Sequence, residues 1–329
     1  MKLYGLEEHF LTPEVVEAWQ RHDPLLAEPM MRWALHSDIT ADLLDLGDGR
    51  IAAMDDAGID VAVLSLTTPG LQNLPASEAV ALQASVNDTL ADAVSRNPGR
   101  LQGFAALATP APAAAADELR RAVTELGFHG ALVNAHSGGR ALDAPEFWDI
   151  YEAAEDLRAP VYLHPRAPVG AVVEAYYRGF REPVNAMLAT GAFGWHYDAG
   201  LTLLRMIVSG VFDRFPGLQV VLGHWGEVVL FYLDRVAAVD PLTDLERPVA
   251  DYFRTNVFVT PGGISSHKYL RWSLETVPAE RVMYASDHPF NSERAGSARR
   301  FLDTAPISAA DRDRIASGNW EQLVAGIRR

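Results

Sequence analysis

Eight short runs rich in aliphatic and β-branched residues, each followed by a longer stretch with helical spacing, constrain this chain more than any other feature. The runs 3–9, 61–66, 101–107, 130–135, 161–164, 219–223, 256–260 and 281–286 read as strands. The stretches 48–57, 77–97, 113–125, 145–157, 199–212, 227–239, 267–276 and 311–324 read as helices. Strands alternating with helices build a parallel sheet, and eight such units match closure into a barrel. The expected fold is therefore α/β, a distorted (β/α)8 TIM-type barrel. The 329 residues suit one such domain spanning 1–329. An open doubly wound sheet is the alternative. That fold usually carries a phosphate-binding glycine loop after its first strand, and here the first strand ends in Glu-Glu-His-Phe with no G-x-G-x-x-G behind it.

Two regions exceed the simple unit. Residues 24–45 follow the first strand, and residues 166–198 follow the fifth and hold Tyr176, Tyr177, Phe180, Phe193 and Trp195. Both are expected as inserted βα loops, which cover the active-site end of a barrel. Residues 308–329 read as a C-terminal helical tail.

Composition narrows the chemistry. Cysteine is absent, so disulfides and thiolates are excluded and any metal is held by N and O ligands. A formal net charge of −15 disfavours nucleic acid as a partner. No apolar run reaches membrane-spanning length, and no secretory signal precedes the first strand, so a cytoplasmic enzyme without membrane partners is expected.

In a barrel, catalytic groups sit at the C-terminal ends of strands. Strand one ends Glu7-Glu8-His9, strand five ends at His164, strand six at His224 and strand eight at Asp287. Side chains alternate along a strand, so Glu7 and His9 share a face and Glu8 points away as a supporting or packing residue. Glu7, His9, His164 and Asp287 then form a two-imidazole, two-carboxylate set suited to Zn2+ or Mn2+. Each has an ordinary reading when taken alone: a surface turn, a core histidine, a helix cap. Their coincidence at one rim favours the metal site.

On these residues the chain resembles the amidohydrolase superfamily. The branch is the one that holds aminocarboxymuconate semialdehyde decarboxylase and the ortho-hydroxybenzoate (γ-resorcylate type) decarboxylases. The resemblance runs through LEEHF, DDAGIDVAVLS (55–65), GFHGALVNAHSGG (127–139), VYLHPR, SGVFDRFPGLQVVLGHWGE (209–227) and RVMYASDHPF (281–290). It implies one divalent metal ion per subunit on Glu7, His9, His164 and Asp287, and no organic cofactor. It implies His224 as the catalytic histidine, with Glu227 orienting it from the helix that follows. Asn134, Trp195 and Phe290 fall at positions that line the substrate pocket in relatives. Arg235 matches an arginine that reaches a neighbouring subunit's substrate, which implies a homodimer or homotetramer. His288, Tyr197, Asp198 and Thr202 depart from the pattern and leave the substrate open.

The expected activity is non-oxidative, possibly reversible decarboxylation of an ortho-hydroxylated aromatic acid. Phenolate and carboxylate chelate the metal, and Asp287, or else His224, protonates the ring. The competing reading is a metal-dependent hydrolase or hydratase of a lactone, amide or enol acid, with His224 as the base.

Overall fold

The computed structural model describes residues 1–22, 28–291 and 296–329. Ten strands are assigned among them: β1 (Tyr4–Phe10), β2 (Val61–Leu66), β3 (Leu101–Gly103), β4 (Ala105–Ala106), β5 (Ala131–Asn134), β6 (His136–Ser137), β7 (Arg140–Ala141), β8 (Val161–His164), β9 (Val220–Leu222) and β10 (Val257–Val259). Two parallel sheets carry the fold. One has the order β1-β2-β3 and the other β10-β9-β8-β5-β4, while β6 and β7 form a small antiparallel pair.

The closed eight-stranded barrel expected from the pattern is not formed as one continuous ladder. The third expected strand is split at Phe104, where one side pairs with β2 and the other with β5. The eighth, 281–286, is not a regular strand; the bridges assigned to it and its continuation are the isolated Val259↔Val282 and Glu8↔His288. The cause is local. Asp287 turns into the left-handed region at φ 59, and Pro289, behind it, brings no N–H to extend a ladder. Backbone hydrogen bonds still run on both sides of the segment, from Met283 N to Val259 O at 2.9 Å and from Leu6 N to Tyr284 O at 3.2 Å.

Alternate residues of each strand enter different cores, as parallel strands buried on both faces require. Ala62, Leu64, Val161, Leu163, Val220 and Leu222 pack outward against helices such as Ala76–Arg96, Pro112–Thr124 and Trp148–Leu157. Tyr4, Leu6, Val61, Val63, Leu132, Tyr162, Val221, Phe258, Met283 and Ala285 pack inward on one another. Trp320, from the last helix Asn319–Val324, joins this inner layer and donates to Gln102 Oε1 at 2.9 Å. Sequence offset explains the site's position. Leu6, Leu132, Tyr162 and Ala285 lie one to three residues before Glu7, His9, Asn134, His164 and Asp287, so the apolar layer is the floor beneath those polar strand ends.

The first expected insertion begins outside the described residues at 24–27 and continues as the short helices Pro29–Ala34 and Ile39–Leu44. The second holds helices Gly170–Tyr176 and Glu182–Ala189 and the start of Gly194–Val208. The helix Pro13–Arg21 was not expected from the pattern. Among the described residues, no helix is long and apolar enough to cross a membrane.

Candidate active site

Glu7, His9, His164 and Asp287 are all buried and converge, with one ligand atom of each lying within 4.8 Å of the others. The register of β1 against β2 shifts between Gly5 and Glu8, a bulge that re-aims the strand as it enters the site. The sequence reading of adjacent carboxylates holds: Glu8 lies on the other side, where it accepts from Ser286 N at 3.0 Å and Ser286 Oγ at 2.6 Å.

Each of the four converging side chains has one polar atom anchored and another turned inward. Tyr162 donates to Glu7 Oε2 at 2.5 Å. His164 Nδ1 lies 3.2 Å from Asn134 Oδ1, and His9 Nδ1 lies 3.4 Å from Ser65 Oγ. Asn291 Nδ2 donates to Asp287 Oδ2 at 2.7 Å. The inward atoms meet one another, with His164 Nε2 at 3.2 Å from Glu7 Oε1 and His9 Nε2 at 3.3 Å from Asp287 Oδ1. Glu7 Oε1 and His9 Nε2 are buried without a hydrogen-bond partner. Buried polar atoms are rarely orphaned, and this pair sits where a cation satisfies both. The donor set of two imidazole nitrogens and two carboxylates suits a borderline divalent ion.

Electrostatics agree. Burial holds His9 down at about 4 and lowers His164, so both imidazoles are neutral and able to coordinate. Burial alone would raise Glu7, but the charge of His224, the largest opposing influence, outweighs it and holds the carboxyl at about 2. Burial, then the charge of Glu7, pushes Asp287 up to about 8; a bound cation acts the other way and favours its carboxylate.

His224 lies beside this set, its Nε2 4.0 Å from Glu7 Oε1, and its Nδ1 is 2.7 Å from Glu227 Oε1. Burial opposes its charge, yet the carboxylates of Glu227 and Glu7 carry it up to about 10. The helix expected from residue 227 onward is corrected here. Residues 224–228 all have positive φ, at 45, 59, 81, 52 and 69, and form a left-handed turn that continues into short 3-10 and α pieces. Four of the five are not glycine, so the turn holds conformational strain, a feature that clusters at functional sites. It places Glu227 back beneath His224.

The remaining expected site residues separate. Phe290 stacks edge-on to His9 with centroids 5.7 Å apart, and the Trp195 ring lies 6.5 Å from His164. Asn134 is tied up within the protein: besides His164, its backbone and amide N–H groups face Gln72 Oε1. Arg235 is exposed on the helix Leu233–Val236 and has no ion pair among the described residues.

Several residues were missed by sequence reasoning. Tyr162 stands two places before His164 on the same strand face, so alternation could have found it. Glu28 had no such signal. It is buried, accepts from Ala167 N at 2.9 Å and Trp195 Nε1 at 3.0 Å, and burial pushes it up to about 7 against the opposing charge of Arg166. Buried Arg50 donates to His9 O at 2.7 Å and Asp42 O at 2.8 Å. His196 reaches Glu227 Oε2 at 2.8 Å.

A metal-ready pocket of this kind, at the ends of parallel strands, marks an α/β enzyme. More narrowly, the chain belongs to the amidohydrolase family, whose model matches residues 38–324. It is 37% identical to the gamma-resorcylate decarboxylase of Rhodococcus jostii, over 97% of each chain. Two solved structures are similar. One is 5-carboxyvanillate decarboxylase of Novosphingobium aromaticivorans, complexed with manganese and 4-hydroxy-3-methoxy-5-nitrobenzoic acid. It has a TM-score of 0.89 and 30% identity over 98% of this chain and 96% of that one. The other is a dihydroxybenzoic acid decarboxylase of Polaromonas with bound manganese and the inhibitor 2-nitroresorcinol. It has a TM-score of 0.85 and 31% identity over 98% and 97%.

Proposed function

We propose that the protein is a metal-dependent, non-oxidative decarboxylase of an ortho-hydroxylated aromatic acid. The observation that carries this reading is the inward set of Glu7, His9, His164 and Asp287, with Glu7 Oε1 and His9 Nε2 orphaned, beside a histidine that favours its proton. Relatives that are decarboxylases, two of them solved with manganese and an aromatic ring compound bound, support it.

Glu7, His9, His164 and Asp287 would hold the ion, Mn2+ or Zn2+. When bound, it supplies a Lewis-acidic anchor for a phenolate and a neighbouring carboxylate. Tyr162, Asn134 and Asn291 fix the ligand side chains, which spares the reaction their reorganisation. Phe290 and Trp195 are assigned to the faces and edge of the aromatic ring. A proton is added at the ring carbon that bears the carboxylate; the carbon–carbon bond then breaks, CO2 leaves, and the electron pair restores the aromatic ring. Asp287 is assigned as the donor, with its proton delivered by the substrate because a bound cation would favour its carboxylate, and His224 is the second candidate. Glu227 holds His224 in either case. No organic cofactor enters this scheme.

We read the two sheets and the bridging segment 282–288 as one distorted (β/α)8 barrel in a single cytoplasmic domain. Exposed Trp33, Tyr176, Phe180 and Tyr232 support a homodimer or homotetramer in which Arg235 serves a second copy.

The test is turnover by protein loaded with Mn2+ or Zn2+ on a panel of ortho-hydroxybenzoates, following CO2 and the matching phenol together. Both products appear if the reading is right. Net addition of water to a lactone, amide or enol acid, without CO2, would instead select the hydrolase or hydratase. His224→Ala is expected to retain the metal while losing on the order of 10²–10⁴ in rate; an emptied site would make His224 a ligand instead.

A further inference from the structure

Glu227 is sealed from solvent, and it serves two imidazoles rather than one. Its Oε1 takes His224 Nδ1 at 2.7 Å and its Oε2 takes His196 Nδ1 at 2.8 Å. His196 stands in the first turn of the helix Gly194–Val208, and its Nε2 lies 3.0 Å from Gly191 O. The His196 and His224 rings are 4.5 Å apart.

Both partners of His196 are acceptors. A backbone carbonyl cannot donate, and an ionised carboxylate cannot either. Burial would raise Glu227, but His224 and His196 hold it low, so it is ionised. Nδ1 of His196 is therefore the donor to Glu227 Oε2.

Two independent features bring the trio together. The left-handed turn at 224–228 sends Glu227 toward the helix, and Gly200 lets the helix come close. A Cβ at Gly200 would lie 2.4 Å from Glu227 O. The trio is also closed on itself, since both Nδ1 atoms are committed to Glu227, so it does not read as a second metal site.

We propose that His196 is a positioning residue for His224, acting through Glu227. A carboxylate rotates about a soft terminal torsion, and a buried one with a single donor leaves an oxygen unsatisfied, which is unfavourable. His196 engages that second oxygen and so locks the first on His224 Nδ1. That bond fixes which nitrogen of His224 faces the pocket. The proposal rests on the role assigned above to His224.

The test uses metal-loaded full-length protein with His196→Phe, which keeps a ring without donors, and His196→Asn, whose amide N–H replaces Nδ1–H. His196→Phe is expected to lower kcat by about 10–100-fold, with KM and metal content within about twofold. His196→Asn recovers most of that loss. In a Glu227→Gln background, His196→Phe has little further effect, because the two residues act as one unit. Full kcat in His196→Phe, or an undiminished loss in the Glu227→Gln background, would overturn the proposal.

A second readout needs no substrate. With 15N-labelled histidine, the His224 Nδ1–H resonance is expected to persist in the parent and in His196→Asn and to be lost in His196→Phe. An unchanged resonance in His196→Phe refutes the positioning role whatever the reaction. The expected resonance pattern without CO2 release refutes only the proposed reaction.

Discussion

Glu7 faces the converging imidazoles, while Glu8 faces a small polar cavity of about 190 Å3 behind β1, shared with Arg50, Ser286 and His288. The two residues are adjacent, identical and equally buried. Around Glu7 stand His224, His164 and His9, and the charge of His224 above all holds it ionised at about 2. Around Glu8, burial dominates over the Ser286 hydrogen bonds and the charge of Arg50, and pushes it up to about 8. One carboxylate is thus ionised with an oxygen free to face the converging imidazoles. The other clamps Ser286, the neighbour of Asp287, and so holds the opposite side of the pocket in place. The lesson is that strand alternation selects the face, and the groups already on that face decide what a carboxylate becomes.

Removing each in turn breaks the comparison most severely. Glu7→Ala is expected to empty the site and bring turnover to background, as read by metal analysis and the CO2 assay. Glu8→Ala is expected to weaken metal binding by about 10–100-fold, as the loss of a supporting residue does. It also leaves the Ser286 donors unpaired, at about 1–3 kcal/mol of stability, which thermal unfolding measures. Equal metal loss in the two variants would abolish the distinction.

A smaller effect sharpens it. In metal-stripped protein, Glu8 keeps its proton up to about pH 8 when folded but only to about 4.5 when unfolded. The folded state binds more protons across that window, so stability falls as pH rises through it. Glu8→Gln removes this dependence, and its Tm should gain a few degrees on the parent between about pH 5 and pH 9. Glu7 has the opposite sign: its folded value lies below the unfolded one, so its stabilisation is present above about 4.5 and is lost as pH falls toward about 2. Parallel Tm curves for parent and Glu8→Gln would show that Glu8 is not held protonated.

The convergence of Glu7, His9, His164 and Asp287 was legible because all four stand at the ends of the expected strand segments, where period-two alternation and the run-helix pattern state both position and face. Seven of the eight expected strand segments carry ladders, one of them split at Phe104. The eighth failed at Asp287 and Pro289, where positive φ and a missing N–H interrupt pairing. The turn at 224–228 was illegible for a related reason: only Gly226 announces a left-handed conformation, and His224, Trp225, Glu227 and Val228 are held there by their surroundings. Glu28, Arg50 and His196 come from loops and helices whose approach depends on tertiary packing. No local spacing in the sequence signals that approach.

The apolar layer of Leu6, Leu132, Tyr162, Val221 and Phe258, with Trp320 packed into it, lies beneath the polar strand ends, and we read it as closing the pocket from below. In the proposed reaction, incoming acid, departing phenol and CO2 share one line of traffic. Bulk added at the mouth, in the 166–198 segment, would slow arrivals and departures together. A through-channel would separate them. In the proposed reaction, choice of substrate and pace of product escape would be set at the same doorway.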